Sequence, residues 1–94
     1  MNSAKLKEHA EMLEVALQRN RGKSKDVEFL ANYPPLIQTI SDAKAGLIVQ
    51  PRHLDWLERW ELESEIPEFP DVADRLAEFQ LLMWGWALPS EGGP

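Results

Sequence analysis

The chain has 94 residues, a length that fits one domain with a single modest core. Its 44% hydrophobic and 28% charged residues are ordinary for a globular protein and argue against disorder of the whole chain. The absence of cysteine excludes disulfides and thiolate metal sites and suits a reducing compartment, while the net charge of −6 disfavours nucleic acid as a partner.

The first helix is predicted from Ser3 to Asn20 by four apolar residues at helical spacing, Leu6, Ala10, Leu13 and Leu17. Ser3 is its expected N-cap, and Gly22 suits its C-terminal cap. The residues before this helix have no apolar run typical of a signal peptide, so we expect a cytoplasmic protein.

The loop 19–25 holds four cations in seven positions, Arg19, Arg21, Lys23 and Lys25. Such a cluster can contact phosphates, which keeps a helical nucleic-acid-binding regulator open as an alternative function. The pI of about 4.8 argues against this alternative. So does the third predicted helix, which would be the recognition helix of a helix–turn–helix but has Lys44 as its only cation. A solvated loop, or an ion-pair partner for acidic residues, is the simpler interpretation.

Two short helices should follow this loop. Ser24 is the expected N-cap of the second helix, which must end near Asn32 because Pro34 and Pro35 cannot continue it. The same prolines can open the third helix, which should run to about Ala45. The run 47–49, which follows Gly46, is the only β-like stretch, and we expect it to be a buried connector.

The fourth helix is predicted from Pro51 to about Glu63, because proline is favoured at a first helical position. One side of this helix carries an aromatic-rich set, His53, Trp56, Leu57 and Trp60. We expect these side chains to pack in the core, with a pH-sensitive or ligand-holding patch as the alternative.

The last helix is predicted from near Pro70 to near Leu88, where Pro89 forbids continuation. One apolar stripe on it consists of Val72, Leu76, Phe79, Met83 and Trp86. A second stripe, on roughly the opposite side, consists of Leu81, Trp84 and Leu88. A surface helix of a monomer needs only one such stripe, so the second side is either covered within the bundle or docks a partner.

Acidic residues dominate the segment 55–78, which holds nine of them against Arg59 and Arg75, a net charge of −7. A segment of this sign attracts basic surfaces, although a solvated face that aids solubility has the same composition. We include Glu61, Glu65 and Glu68 from this segment among the predicted partner-binding residues.

Catalysis and metal binding have no recognisable motif in this sequence. The two histidines, His9 and His53, are far apart, and neither follows a glutamate by three residues, so the di-iron and zincin patterns are absent. No serine lies in a nucleophile elbow, and no glycine-rich phosphate loop occurs. We therefore predict no enzyme activity, no metal and no cofactor.

Together these patterns predict an all-α, compact bundle of four or five short helices with no sheet, formed by residues 1–89 and followed by a disordered tail, 90–94. The predicted function is a small, acidic, tryptophan-rich protein–protein interaction module of the accessory, adaptor or inhibitor and immunity type. Its partner would be another protein, with a basic one as one option, or a second copy that forms a homodimer through the last helix. No apolar run reaches the roughly 20 residues of a membrane span. Partner-binding residues are predicted to be Leu81, Trp84, Leu88, Glu61, Glu65 and Glu68.

Overall fold

The structure is a computed structural model that describes residues 2–86. Within this range it has five α-helices, one 3₁₀ turn and no strand, which confirms the predicted all-α bundle. The elements, in chain order, are α1 (Ser3–Asn20), α2 (Lys25–Ala31), α3 (Pro34–Lys44), α4 (Asp55–Glu63), the 3₁₀ turn (Ile66–Glu68) and α5 (Pro70–Met83). The predicted tail, 90–94, and Leu88 lie outside the described residues.

Helix α1 lies at the centre of the bundle and packs against α5, α3 and α2. Its apolar stripe is almost fully buried, as the spacing predicted: Leu6, Ala10, Leu13 and Leu17 are at most 4% exposed. The first stripe of α5 packs against it, with Val72, Leu76, Phe79 and Met83 all completely buried. Burial of each large apolar side chain contributes about 1.5–3 kcal/mol, so this two-helix interface is the main source of stability.

The first three helices begin and end where their local signals predict, apart from one cap. Asn2, not Ser3, caps α1, because its side-chain oxygen accepts a hydrogen bond from the backbone N–H of Lys5 at 3.0 Å. Ser24 caps α2 as predicted by accepting from the N–H of Asp26 at 3.1 Å. Proline opens α3, as predicted.

The region between α3 and α4 differs from the prediction in two ways. Of the expected buried connector only Ile48 is buried, whereas Leu47 is 63% and Val49 is 74% exposed. Helix α4 begins at Asp55 rather than at Pro51. The physical reason is a tertiary hydrogen bond, since the N–H of Arg52 donates to the carbonyl of Met83 at 2.9 Å and holds this segment against the end of α5.

Helix α5 begins at Pro70 as predicted but ends at Met83, five residues before the predicted end at Leu88. Gly85 adopts a φ of 92°, a left-handed conformation that ends a helix and that other residues rarely adopt. Trp86 is therefore not on the first stripe of a continuing helix, and it is 67% exposed.

Candidate partner-docking surface

Four aromatic rings meet at the surface, one from α2, one from the residue before α3 and two from α4, and form what we call the aromatic cluster: Phe29, Tyr33, Trp56 and Trp60. Phe29 lies at the middle, with its ring centroid 5.6 Å from Tyr33, 5.7 Å from Trp56 and 5.1 Å from Trp60. The Tyr33 and Trp56 centroids are 5.4 Å apart, and the Trp56 and Trp60 rings stack at 6.0 Å with 15° between their planes. These distances are those of favourable ring pairs.

Two rings of this cluster pack against the core, and the other two face solvent. Tyr33 and Trp60 pack partly buried against the buried core residues. Phe29 remains 43% and Trp56 remains 52% exposed. Exposed aromatic surface that is fixed from below by the core is typical of an interface hot spot, because binding it requires little further ordering of side chains.

Local sequence explains how α4 contributes two neighbouring rings. Trp56 and Trp60 are four residues apart on this helix, a spacing that places side chains on one side. Phe29 is in α2, and Tyr33 is the extended residue between α2 and α3. Polar contacts then join α2 to the segment after α4. The N–H of Glu65 donates to the Asp26 carboxylate at 2.7 Å, and the hydroxyl of Ser24 donates to the Glu65 carboxylate. These links bring the two ring pairs together.

Many carboxylates of the acidic segment 55–78 have no partner within the described chain. Between residues 55 and 78, five acidic side chains make no hydrogen bond or ion pair with residues 2–86: Asp55, Glu61, Glu63, Glu68 and Asp74. The segment has two cations. Arg75 pairs with Glu78 at 2.7 Å, whereas Arg59 has no such partner among residues 2–86. The surface of this segment thus carries a net negative charge that the chain itself does not neutralise.

Glu61 differs from the other carboxylates because it is partly buried on the inner side of α4, four residues after the fully buried Leu57. Burial raises the pKa of the Glu61 carboxyl above its usual value. A partly desolvated carboxylate without a counter-charge is a site where an incoming cation would be favourable.

The other predicted acidic residues have different positions. Glu65 is exposed, but its carboxylate already accepts from Ser24, so it acts within the chain as a link between α2 and the end of α4. Glu68 lies exposed in the 3₁₀ turn. The structure therefore brings Glu61, Glu65 and Glu68 to the region of α4 and the turn, whereas Leu81 and Trp84 lie at the end of α5.

The predicted second face of the last helix is only partly exposed. Leu81 and Trp84 are both half-buried and pack against the core, and Leu88 lies outside the described residues. The chain itself covers one side of Trp84, because the His53 ring stacks on it at 5.4 Å with 14° between the planes. The spacing predicted that His53 lies on the aromatic side of α4. Instead, His53 belongs to the segment before α4, and its ring faces the end of α5.

Two buried donors near this face have no acceptor among residues 2–86. They are the indole N–H of Trp84 and the side-chain amide of Gln80, which lies one helical turn earlier and is only 5% exposed. An unpaired buried donor costs about 1–3 kcal/mol. The end of α5 thus carries two donors whose hydrogen-bonding capacity is not met within residues 2–86.

The side-chain atoms of His53, Asp55 and Glu58 that could bind a metal ion lie within 4.8 Å of one another. Sequence reasoning missed this group because it searched for glutamate before each histidine, and here both carboxylates follow. Asp55 and Glu58 are in the first turn of α4, where the helix dipole stabilises carboxylates without any metal. The group is exposed or only partly buried, and its geometry alone assigns it no role.

The basic loop is partly neutralised within the chain. Arg21 donates to the Glu28 carboxylate through two nitrogens at 3.3 Å each, and this contact raises the pKa of Arg21 and lowers the pKa of Glu28. Lys23 donates to the side-chain oxygen of Asn20 at 3.3 Å. Arg19 and Lys25 keep their charges free of such contacts within residues 2–86.

No protein-family model matches the chain, and comparisons with curated proteins and with solved structures also gave no match. None of the helices among residues 2–86 has the length and apolar character needed to cross a membrane. The class of molecule that the fold defines is therefore an all-α bundle, and any function has to be argued from its own surface.

Proposed function

We propose that this chain is a small acidic protein–protein interaction module, of the accessory, adaptor or inhibitor and immunity type, that acts in the cytoplasm without catalysis. The observation that carries the proposal is the aromatic cluster, in which Phe29 and Trp56 stay 43% and 52% exposed although their neighbours anchor them to the core. Aromatic residues of this kind carry most of the energy in many interfaces.

The chemistry of the partner follows from charge complementarity. Unpaired carboxylates such as Asp55 and Glu63 are on the same helix as Trp56 and Trp60, and the segment 55–78 has a net charge of −7. A basic segment of another protein would gain from this potential both in association rate and in the choice of partner. The proposed partner is therefore a protein that presents lysine and arginine side chains, not nucleic acid.

Capture from the native cell lysate, with matched variants, tests this proposal. Wild-type protein and Trp86→Ala should retain the same partner, whereas Trp56→Ala should lose it, because Trp86 is exposed but makes no ring contact with the cluster. Salt near 1 M, where the Debye length is about 3 Å, should release it. Equal capture by Trp56→Ala, or a captured protein without a basic segment, contradicts the proposal.

Self-association through the end of α5 is a second candidate, favoured by the exposed Trp86 next to the half-buried Trp84. In a twofold dimer the same patch of the second copy would supply apolar cover. Sedimentation distinguishes the two proposals. A 10.8 kDa species at micromolar concentration rules out the dimer, while a Trp86-dependent dimer supports it.

A further inference from the structure

We infer that the aromatic cluster recognises arginine in particular, by stacking the guanidinium group of a partner's side chain on its exposed rings. This inference rests on the proposed function and goes further, because it names the group that the surface selects. A basic partner held only by charge would bind equally well through lysine.

The first argument is the shape of the exposed rings. Trp56 and Trp60 are nearly parallel, with 15° between their planes, and Phe29 and Tyr33 differ by only 24°. A planar, weakly hydrated guanidinium can lie against such rings, whereas the compact ammonium of lysine keeps its water. Trp56, with 52% of its surface exposed, offers the largest accessible ring of the four.

The second argument is that the chain does not fill this position itself. Apart from Lys5, which pairs with Glu8 on α1 at 3.6 Å, no lysine or arginine among residues 2–86 stacks on any of the four rings. Arg59 is three residues after Trp56 on α4, yet it makes no such contact. The rings are therefore free to receive a cation from another molecule.

The third argument is a carboxylate in register with the rings. Glu63 follows Trp56 by seven residues and Trp60 by three, so helical spacing places it on their side of α4. It is exposed and makes no hydrogen bond or ion pair with residues 2–86. A guanidinium stacked on Trp56 or Trp60 could also donate two parallel hydrogen bonds to such a carboxylate, a geometry that lysine cannot reproduce.

The test uses three short peptides of identical sequence that carry arginine, lysine or neutral citrulline at the same positions. Tryptophan fluorescence and calorimetry measure their affinities for the full chain near 50 mM NaCl, where charge attraction is only moderately screened. We expect the arginine peptide to bind about fivefold more tightly than the lysine peptide, and the citrulline peptide to bind most weakly.

Variants separate stacking from charge. Trp56→Leu should lower the affinity for the arginine peptide to that for the lysine peptide, with the lysine affinity changed less than about twofold. Glu63→Gln should weaken both peptides, arginine more than lysine. Leu62→Ala, which removes an 83% exposed apolar side chain of the same helix outside the aromatic cluster, should change neither. Because Trp56 is half exposed, its variant should fold; Phe29→Leu provides a second check if it does not.

The outcomes distinguish this inference from the function on which it rests. Equal affinities for arginine and lysine peptides that both depend on Trp56 would overturn arginine selection and leave a charge-driven docking surface. Binding of citrulline as tight as that of arginine would assign the cluster to neutral, apolar contacts. No binding of either cationic peptide would contradict both the inference and the basic partner of the proposed function.

Discussion

Asn20 is buried at the end of α1, where its side chain joins that helix to the start of α5. Its amide donates to the carbonyl of Ala16 at 2.8 Å and to the Asp71 carboxylate at 2.6 Å. The hydrogen bond from Asn20 is the largest cause that lowers the pKa of Asp71 below its usual value of 3.8. A single polar side chain thus connects the two helices that form the main core interface.

We expect Asn20→Ala to lower the free energy of unfolding by about 1–2 kcal/mol at pH 7, because a buried hydrogen bond to the Ala16 carbonyl and a partly buried one to the Asp71 carboxylate are lost. Since the pKa of Asp71 is lowered on folding, its contribution is present above pH 3.8 and is lost as the pH falls below that value. Urea unfolding at several pH values should therefore show the deficit of the variant shrinking under acid conditions. A deficit that does not depend on pH contradicts this role. So does a deficit of the same size when Asn20→Ala is introduced into the Asp71→Asn variant.

Glu61 is the opposite case, since burial raises the pKa of its carboxyl. The folded state then binds the proton more tightly than the unfolded chain, so the stabilising contribution is complete below the usual pKa of 4.5 and is lost as the pH rises through the folded value. We expect Glu61→Gln to raise the melting temperature at pH 7 and to leave it unchanged near pH 4. Glu63→Gln on the exposed side of α4 is the matched control, for which a comparable gain would remove burial as the cause.

At the scale of the helices, the ends of α5 and α4 depend on each other. Gly85 ends α5 with a φ of 92°, and a Cβ added there would lie 3.4 Å from the Cγ of Pro51. Pro51 belongs to the segment that Arg52 attaches to the carbonyl of Met83. Gly85 therefore ends α5 at the point where the segment that precedes α4 is attached, and this attachment delays the start of α4 until Asp55.

Gly85→Ala distinguishes this geometry from the continuous helix that the sequence predicts. In a helix interior, alanine is about 1 kcal/mol more favourable than glycine, and the variant would be more stable. At a left-handed φ the Cβ is strained, so we expect the variant to lose about 1–2 kcal/mol instead. Thermal unfolding gives the sign directly. Gly22→Ala, with a φ of 85° and nothing within 4 Å of the added Cβ, shows the backbone contribution without the contact to Pro51.

The helices that were predicted accurately are those whose ends are set by local chemistry. Proline opens α3, serine caps α2, and glycine follows α1, and each of these signals acts within a few residues. The start of α4, in contrast, depends on a hydrogen bond between residues far apart in sequence, and α5 ends at Gly85 although the apolar pattern continues beyond it. Periodicity extends a helix as far as apolar residues recur, so it carried the last helix past Gly85.

The aromatic cluster could not be predicted for the same reason at a larger scale. The pairs Phe29–Tyr33 and Trp56–Trp60 are each visible as a four-residue spacing, but nothing local says that α2 and α4 meet. The acidic character of the neighbouring segment, in contrast, follows from composition alone. Among the predicted docking residues, the acidic ones lie close to this cluster in the chain, whereas Leu81 and Trp84 belong to the separate surface at the end of α5.

For the whole molecule, the sign of the salt effect on stability depends on how charges are distributed over its surface. The chain has a net charge of −6, and five carboxylates between residues 55 and 78 lack a partner within residues 2–86. Ion pairs such as Lys44–Glu14 at 2.9 Å and Arg52–Asp42 at 2.9 Å respond to salt in the opposite direction, but solvent-exposed pairs of this kind contribute little to stability. Salt screens the longer-range repulsion between unpaired carboxylates more strongly than it screens contacts shorter than 4 Å.

Raising NaCl from about 10 to 200 mM at pH 7 shortens the Debye length from about 30 Å to under 10 Å. We therefore expect the melting temperature to rise by a few degrees, equivalent to roughly 0.5–1 kcal/mol for a domain of this size. Near the pI of about 4.8 the net charge vanishes, and the same addition should have little effect. Scanning calorimetry at the two pH values makes the comparison, with Glu63→Gln and Asp74→Asn expected to reduce the salt response at pH 7. A melting temperature that falls with salt at pH 7 would mean that the ion pairs dominate, and the surface of α4 would then lack the unneutralised charge on which a basic partner depends.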